Sequence, residues 1–393
     1  MQPYFSLDLP FLSWVLMGAA LTLAIAYVAW LWCRARTLSR FVDETEQQRD
    51  YTDELPPVSI IVDAMNETHQ LTQILPLLLH QEYPEMEVIV VVDSSAEATS
   101  DMLSEMKEHF TNLHITFAPY GSRSLSRKKL ALMIGIKAAR HDIILTTSAN
   151  CRPTNEQWLR LMMRNFTPDT DIVLGYSHYR YKHDRHLGHT MRTFDTVTTG
   201  MQWIVPAING KPFRGTSDNM AYRKHLFFDV RGFSATMDLN FGEDDLFLSE
   251  ISRTGNTRLE LAPESQMAVY YEDLPRAHAL LKMRRDFTAR RVATWPFVAQ
   301  AAMSWCCWLR LGCLAAAIAL APLNTLTWAL AAAVMLITWI PAVMAMVRNC
   351  RILQAPPLRL TVPVLTLWRP IYNAIYRLRG MRHRASNYTD FYK

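Results

Sequence analysis

The sequence predicts an α/β domain with a mostly parallel sheet, held between transmembrane helices. Three observations carry this: a charge-free apolar run near the start, a second apolar region broken by a turn near the end, and between them short β-branched runs alternating with helical patterns. The first run, FLSWVLMGAALTLAIAYVAWLW at 11–32, is long enough to cross a hydrocarbon core, and Trp14, Trp30 and Trp32 are placed as interface anchors. Asp8 precedes it and no Lys or Arg does, so a cleaved signal peptide is disfavoured. Arg34, Arg36 and Arg40 follow, which places residue 34 onward in the cytosol by the positive-inside rule.

The second apolar region, 305–347, is interrupted by Pro322-Leu323-Asn324 and reads as a helical hairpin. Arg310 lies in its first arm, close to the start, and is expected to snorkel toward the interface. Arg348 and Arg351 return the chain to the cytosolic side. From 358 to 378 apolar residues are interrupted by Arg359, Pro363, Arg369, Pro370 and Arg377, which reads as an amphipathic interfacial segment. The expected domains are a transmembrane helix at 1–33, a connector at 34–57, an α/β domain at 58–300, a transmembrane hairpin at 303–347 and a basic tail at 348–393. A multi-pass protein of a bacterial inner membrane, with its large domain cytosolic, is the expected setting.

The formal net charge of +5 is accounted for by the cationic flanks of the spans, so no nucleic-acid partner is implied. The six cysteines have no C-x-x-C spacing and imply neither a disulfide framework nor a zinc site. His178, His183, His186 and His189 lie close together, but no set of carboxylate or Cys ligands completes them, and a solvated loop is the favoured reading.

Within the α/β domain, VSIIV at 58–62, EVIVVV at 87–92, HITFA at 114–118, IILTT at 143–147 and DIVLG at 171–175 are the expected strands. Helices are expected at 67–80, at 126–140 and after Thr154, where Gln157 gives capping-box spacing. Continuously apolar strands argue for a sheet covered on both faces, with ligands at the carboxyl ends of the strands. Those ends are DAMNE at 63–67, DSSAEAT at 93–99 and TSANCRP at 147–153. Neither G-x-G-x-x-G nor a P-loop follows any strand, which disfavours ordinary dinucleotide or ATP binding. Polar clusters at three strand ends, with an acidic turn FGEDDLF at 241–247, suit a nucleoside diphosphate.

The ordered set VSIIVDAMNE, EVIVVVDSSAEAT, SRKKLALMIGIKAAR, SANCRP, GTSDNMAYRKHLFF and GEDDLF resembles the family 2 inverting glycosyltransferases of GT-A fold, especially membrane-bound bacterial members common in Bacteroidetes. The likeness covers roughly residues 55–295. It implies transfer of a sugar from a nucleoside-diphosphate sugar to a hydroxyl of a lipid-linked or polymeric acceptor at the cytosolic membrane face. By the same likeness Asp93 contacts the base, Glu67 fixes the nucleotide loop, Lys128 lies near the diphosphate, and Asp244 is the general base with Asp245 in reserve.

The sequence departs from the family at two places. Its D-x-D, which holds a divalent ion on the phosphates, corresponds here to Ser148 and Asn150, neutral oxygen donors. Its acceptor-side Q-x-x-R-W corresponds to Lys282-Met283-Arg284-Arg285-Asp286, so Arg285 is kept and the Gln and Trp are not. Three readings stay open: Arg127, Lys128, Lys282 and Arg285 neutralise the diphosphate directly; a Mg or Mn ion is weakly held; or the chain is a non-catalytic glycosyltransferase-like subunit.

Overall fold

The computed structural model describes residues 9–44, 49–64, 67–119, 126–180, 187–237, 239, 241–271, 273–292 and 295–381. In chain order it comprises α1 (Phe11–Asp43), β1 (Val58–Ala64), α2 (Thr68–Leu79), β2 (Met86–Asp93), α3 (Glu97–His109), β3 (Leu113–Ala118), α4 (Arg127–Ala138), β4 (Ile143–Ser148), β5 (Cys151–Pro153) and α5 (Trp158–Met163). Then come β6 (Ile172–Leu174), β7 (Ser177–Tyr179), α6 (Leu187–Ile208), β8 (Met220–Arg223), α7 (Lys224–Asp229), α8 (Asp245–Ile251), β9 (Thr257–Leu259) and β10 (Met267–Val269). Helices α9 (Leu274–Ala289), α10 (Trp295–Leu320), α11 (Thr325–Ile352) and α12 (Val362–Met381) complete the chain.

These elements fall into two compact units. The α/β unit takes in residues 42–184, 206–293 and 376–393. Its main sheet has seven strands in the order β3-β2-β1-β4-β8-β6-β9. β3, β2, β1 and β4 are parallel; β1 and β2 are buried along nearly their whole length, as unbroken apolar strands covered on both faces are, while β3 at the sheet edge is only partly buried. β8 runs antiparallel between β4 and β6, so DIVLG joins the sheet through β8 and not through the parallel core. A second sheet, β5-β10-β7, lies beyond.

All seven residues of β1 are buried, and Val58, Ile60 and Val62 pack with Ile74, Leu78, Val88 and Val90. Each such side chain contributes about 1.5–3 kcal/mol of burial. Gly135 lets α4 lie against this layer, since a Cβ there would come within 2.5 Å of Ile61 Cγ2. Trp158, fully buried, gives its Nε1–H to Asn219 Oδ1 at 3.1 Å.

The capping box expected at Thr154 does not form. Gln157 takes the N-cap of α5, while Thr154 Oγ1 donates to the Gln266 carbonyl at 3.0 Å, tying the loop to the chain before β10. His178 lies buried in β7 and not on a solvated loop; burial, with Arg180 nearby, lowers its imidazole to about 4. His183 and His186 lie outside the described residues.

The helical unit takes in residues 1–41, 185–205 and 294–375. Three of its helices, α1, α10 and α11, are long and apolar enough to span a membrane. α1 continues unbroken to Asp43, so the expected connector begins as helix. Met17, Ala20 and Ala24 pack with Leu314, Ala317, Ala331 and Val334, and the four alanines let the helices approach closely. Asn324 caps α11 by accepting from Leu326 N at 2.9 Å, which fixes the turn of the hairpin. Arg310 does not snorkel: it is 3% exposed, with its guanidinium 5.9 Å from the Tyr27 ring. The tail carries the helix α12, in which Arg369 is buried against Asp195 at 2.9 Å.

Candidate active site

The parallel register sets the ends of β2, β1 and β4 side by side, with Asp63 opposite Ser148. These ends open on a cluster of acids around the Lys128 ammonium. Lys128, on the first turn of α4, puts Nζ 3.4 Å from Glu243 Oε1 and 3.5 Å from Ser148 Oγ. The helix start is secured by Ser126, whose Oγ accepts from Lys129 N. Lys129 itself is fully buried and donates to the Thr236 carbonyl at 2.6 Å, a packing role next to the functional one.

Asp63 is an acid within an otherwise apolar strand. It is 8% exposed, and its Oδ1 has no hydrogen-bond partner among the described residues. Burial, reinforced by Glu67, Glu243 and Asp218 and opposed by Lys128, pushes its carboxyl up to about 7. Glu67 precedes α2 as its N-cap, and burial raises it as well. Asp218 accepts from Ser148 Oγ at 3.0 Å.

The acidic turn divides its three carboxylates among different tasks. Gly242, at φ +92, makes the turn, and a Cβ there would meet Leu246 Cδ1 at 2.5 Å. Burial alone would raise Glu243, but Lys128 and Arg284 outweigh it and hold the group below its ordinary value. Asp245 is committed to a buried ion pair: its Oδ2 accepts from Arg214 Nε at 2.8 Å and from Thr288 Oγ1 at 2.7 Å. Arg214 also donates to the Arg285 carbonyl at 3.1 Å, so this pair fastens α9 to α8. Asp244 caps α8, its Oδ1 accepting from Asp245 N at 2.7 Å, and has no cationic partner among the described residues. Burial, with Asp245 and Glu243 adjacent, pushes it up to about 7.

The structure therefore brings Glu67, Lys128, Ser148 and Asp244 into one electrostatic cluster. Asp93, at the end of β2, instead forms an ion pair with Arg127 through its Oδ2. Asp93 Oδ1 accepts from Ser95 N and Oγ, so the strand end is a closed Asx turn. Asn150 Oδ1 accepts from Cys151 Sγ at 3.4 Å, and its carbonyl accepts from Tyr270 N, joining β5 to β10. On α9, Arg284 is a cation whose charge acts on Glu243.

Asp63, Asp218, Glu243 and Arg284, which lie within the segments marked above but carry no individual role there, make up much of the cluster together with Arg214. A charged residue inside the apolar strand VSIIVDA was the one available sign, at Asp63. The ion pair of Arg214 and Asp245 spans 31 positions and has no local signature.

The donor set does not fit a divalent ion at the Ser148 and Asn150 positions. Ser148 Oγ is spent on Asp218, Asn150 offers a neutral oxygen already accepting from Cys151, and the Lys128 ammonium stands where a second cation would be repelled. Among the described residues no three His, Cys, Asp or Glu side chains are grouped to hold a metal.

Residues 59–236 match the family model Glycosyl transferase family 2. The chain carries a family 2 glycosyltransferase domain. A stretch of 109 residues is 32% identical to Probable glycosyltransferase YdaM of Bacillus subtilis (strain 168), covering 27% of this chain and 25% of that protein. The matched stretch thus spans about a quarter of that relative's length. Among solved structures, the mannosyltransferase PcManGT from Pyrobaculum calidifontis, in complex with GDP-Man and Mn2+, superposes with a TM-score of 0.56 at 17% identity, over 92% of this chain and 99% of that one. That likeness shows the GT-A fold. TarS of S. aureus, residues 1–349 in complex with UDP-GlcNAc, reaches a TM-score of 0.39 at 15% identity over 83% of this chain and 89% of that one.

Proposed function

We propose that the α/β unit is an inverting glycosyltransferase that moves a sugar from a nucleoside-diphosphate sugar to a hydroxyl of a lipid-linked or polymeric acceptor at the cytosolic face of a bacterial inner membrane. The observation that carries this is Asp244: a carboxylate without a cation partner, tuned to about 7, held at a helix start in the cluster at the carboxyl ends of the parallel strands. A base with that affinity for a proton takes one from an acceptor hydroxyl at neutral pH as the oxygen attacks the anomeric carbon. Attack from the face opposite the leaving nucleotide inverts the sugar.

The leaving diphosphate gains charge in this step and needs a cation close by. Lys128 is the side chain for that role, with Arg127 and the α9 cations Lys282, Arg284 and Arg285 in support. Asp93 then holds the base of the nucleotide, and Glu67 its loop. Asp245, neutralised by Arg214, keeps the turn in place. Because the donor set disfavours a divalent ion, this reading has the reaction proceed without Mg or Mn, the charge being supplied by the chain.

The test is release of nucleoside diphosphate by membranes carrying the full chain, with a panel of activated sugars, for wild type and Asp244→Asn. Release by wild type alone supports the reading. Equal rates in both refute Asp244 as base, and binding of no donor favours a non-catalytic subunit.

A further inference from the structure

The helical unit contains a cavity of about 70 Å³ between α1, α6, α10, α11 and α12. Its polar lining includes Arg34, Thr198, Gln300, Ser304, Asn349 and Arg369. Arg34 sits in the last turns of the apolar part of α1, Gln300 and Ser304 in the first turns of α10 and Asn349 in the last turns of α11, so the cavity lies at one end of the three apolar helices. Two guanidinium groups open onto a space whose other walls include Tyr27, Trp30 and Phe194.

The charges around this cavity do not cancel. Arg369 pairs with Asp195 at 2.9 Å and also donates to Thr199 Oγ1. Arg34 gives one N–H to the Met201 carbonyl at 2.7 Å and lies over the Trp30 ring, a placement that fixes the guanidinium without neutralising it. Behind Tyr27, Arg310 is buried with Nε and Nη1 lacking any hydrogen-bond partner among the described residues. Gln300 Oε1 is likewise unpartnered. Two lining arginines thus face one carboxylate among the described residues, with Arg310 buried behind Tyr27, and in surroundings of low polarity this excess of positive charge favours an anion.

We propose that this cavity binds the phosphate headgroup of a membrane lipid. Guanidinium groups meet phosphate oxygens with paired, charge-assisted hydrogen bonds. Basic pockets between membrane helices near one interface suit headgroups of anionic lipids, which bring their phosphate to that depth at no cost of leaving water. The proposal rests on the reading that α1, α10 and α11 lie in a membrane, and it holds whether or not the α/β unit turns over.

The experiment uses the full chain, reconstituted in phosphatidylcholine nanodiscs with and without phosphatidic acid, and measures retained lipid by native mass spectrometry. Wild type is expected to retain phosphatidic acid over phosphatidylcholine. Arg34→Gln is expected to lose about tenfold or more of that preference, the size of one charge-assisted hydrogen bond. Arg369→Gln combined with Asp195→Asn, which leaves no stranded carboxylate, loses it similarly. Arg34→Lys keeps part of it, and the exposed, non-lining Arg351→Gln keeps all of it. Equal retention in Arg34→Gln and Arg351→Gln overturns the site, as does a wild type without preference. Displacement by inorganic phosphate at equal concentration assigns the cavity to a free anion and overturns the lipid. Failure of wild type to enter the nanodiscs overturns the membrane reading itself, and is distinct from entry without preference.

Discussion

Replacing Asp244 with Asn separates catalysis from stability, and the two should move in opposite directions. The substitution keeps shape and the cap on Asp245 N but removes the proton acceptor, and loss of a general base costs about 10²–10⁴-fold in rate. The stability effect follows from the raised carboxyl. Asp244 moves from 3.8 to about 7 on folding, so between those values the folded chain holds a proton that the unfolded chain has released. Stability therefore falls as pH rises across that window and levels off above it. At about 1.4 kcal/mol per pH unit the full penalty is about 4 kcal/mol. Solvent contact at Asp244 and relaxation of Glu243 leave about 2 kcal/mol to be recovered by the neutral side chain. For a unit of this size that is a rise in Tm of roughly 4–8 °C, seen at pH 8 and absent near pH 4. The assays are nucleotide release and thermal unfolding on the same preparations at both pH values. Wild-type kcat/KM should rise with pH through about 7 as Asp244 ionises. A variant that keeps more than about a tenth of the activity falls outside the range for a lost base and refutes that role. A Tm lowered at pH 8 refutes the electrostatic account.

Asp245→Ala should do the reverse of Asp244→Asn: it strands the buried Arg214 guanidinium, destabilising by about 3–5 kcal/mol, read as a lower midpoint in urea. Lys128→Ala is expected to lose about 10²–10³-fold in nucleotide release, while chelation with EDTA leaves the wild type unchanged. Loss of wild-type activity on chelation would refute the role given to Lys128. Gly135→Ala should cost about 1–3 kcal/mol by forcing α4 off β1 and β2, measured by thermal unfolding, since its Cβ meets Ile61 and Val91 side chains at 2.5 and 3.0 Å. Asp63→Asn should raise the thermal midpoint above pH 7 and leave it unchanged near pH 4, because burial makes the ionised form costly there.

Much of the scaffold was legible in the sequence because its signals are local. The runs at 58–62, 87–92 and 143–147 lie within β1, β2 and β4, each an unbroken apolar stretch of strand length, and Pro322-Leu323-Asn324 marks the turn before α11. Pairing was not legible. β8 lies inside GTSDNMAYRKHLFF and was read as a motif, and nothing in four residues says that they run antiparallel between β4 and β6. Thr154 and Gln157 had the spacing of a capping box, but carbonyls from residues 263–266 offered Thr154 better partners, and the tertiary contact won over the local one. At the site, the resemblance to the family marked Lys128 and Asp244. It could not tell Asp244 from Asp245, since that choice depends on Arg214, far off in the chain.

The altered metal positions become intelligible once these partners are in place. Asp63, Asp218, Glu243 and Asp244 all act electrostatically on the region of Lys128, and two of the four are already pushed up to about 7. Carboxylates at 148 and 150 would add two further negative charges at the end of β4, against one ammonium, and each would raise its neighbours further. Such a cluster stays ionised at neutral pH only around a multivalent cation. With Ser148 and Asn150 in those places the acids are fewer, Lys128 and Arg284 together hold Glu243 ionised, and Asp244 is left poised near neutrality rather than fully protonated. The neutral residues at the strand end and the tuned carboxyl on α8 are thus parts of one charge balance, in which a fixed ammonium takes the share that a bound ion would carry.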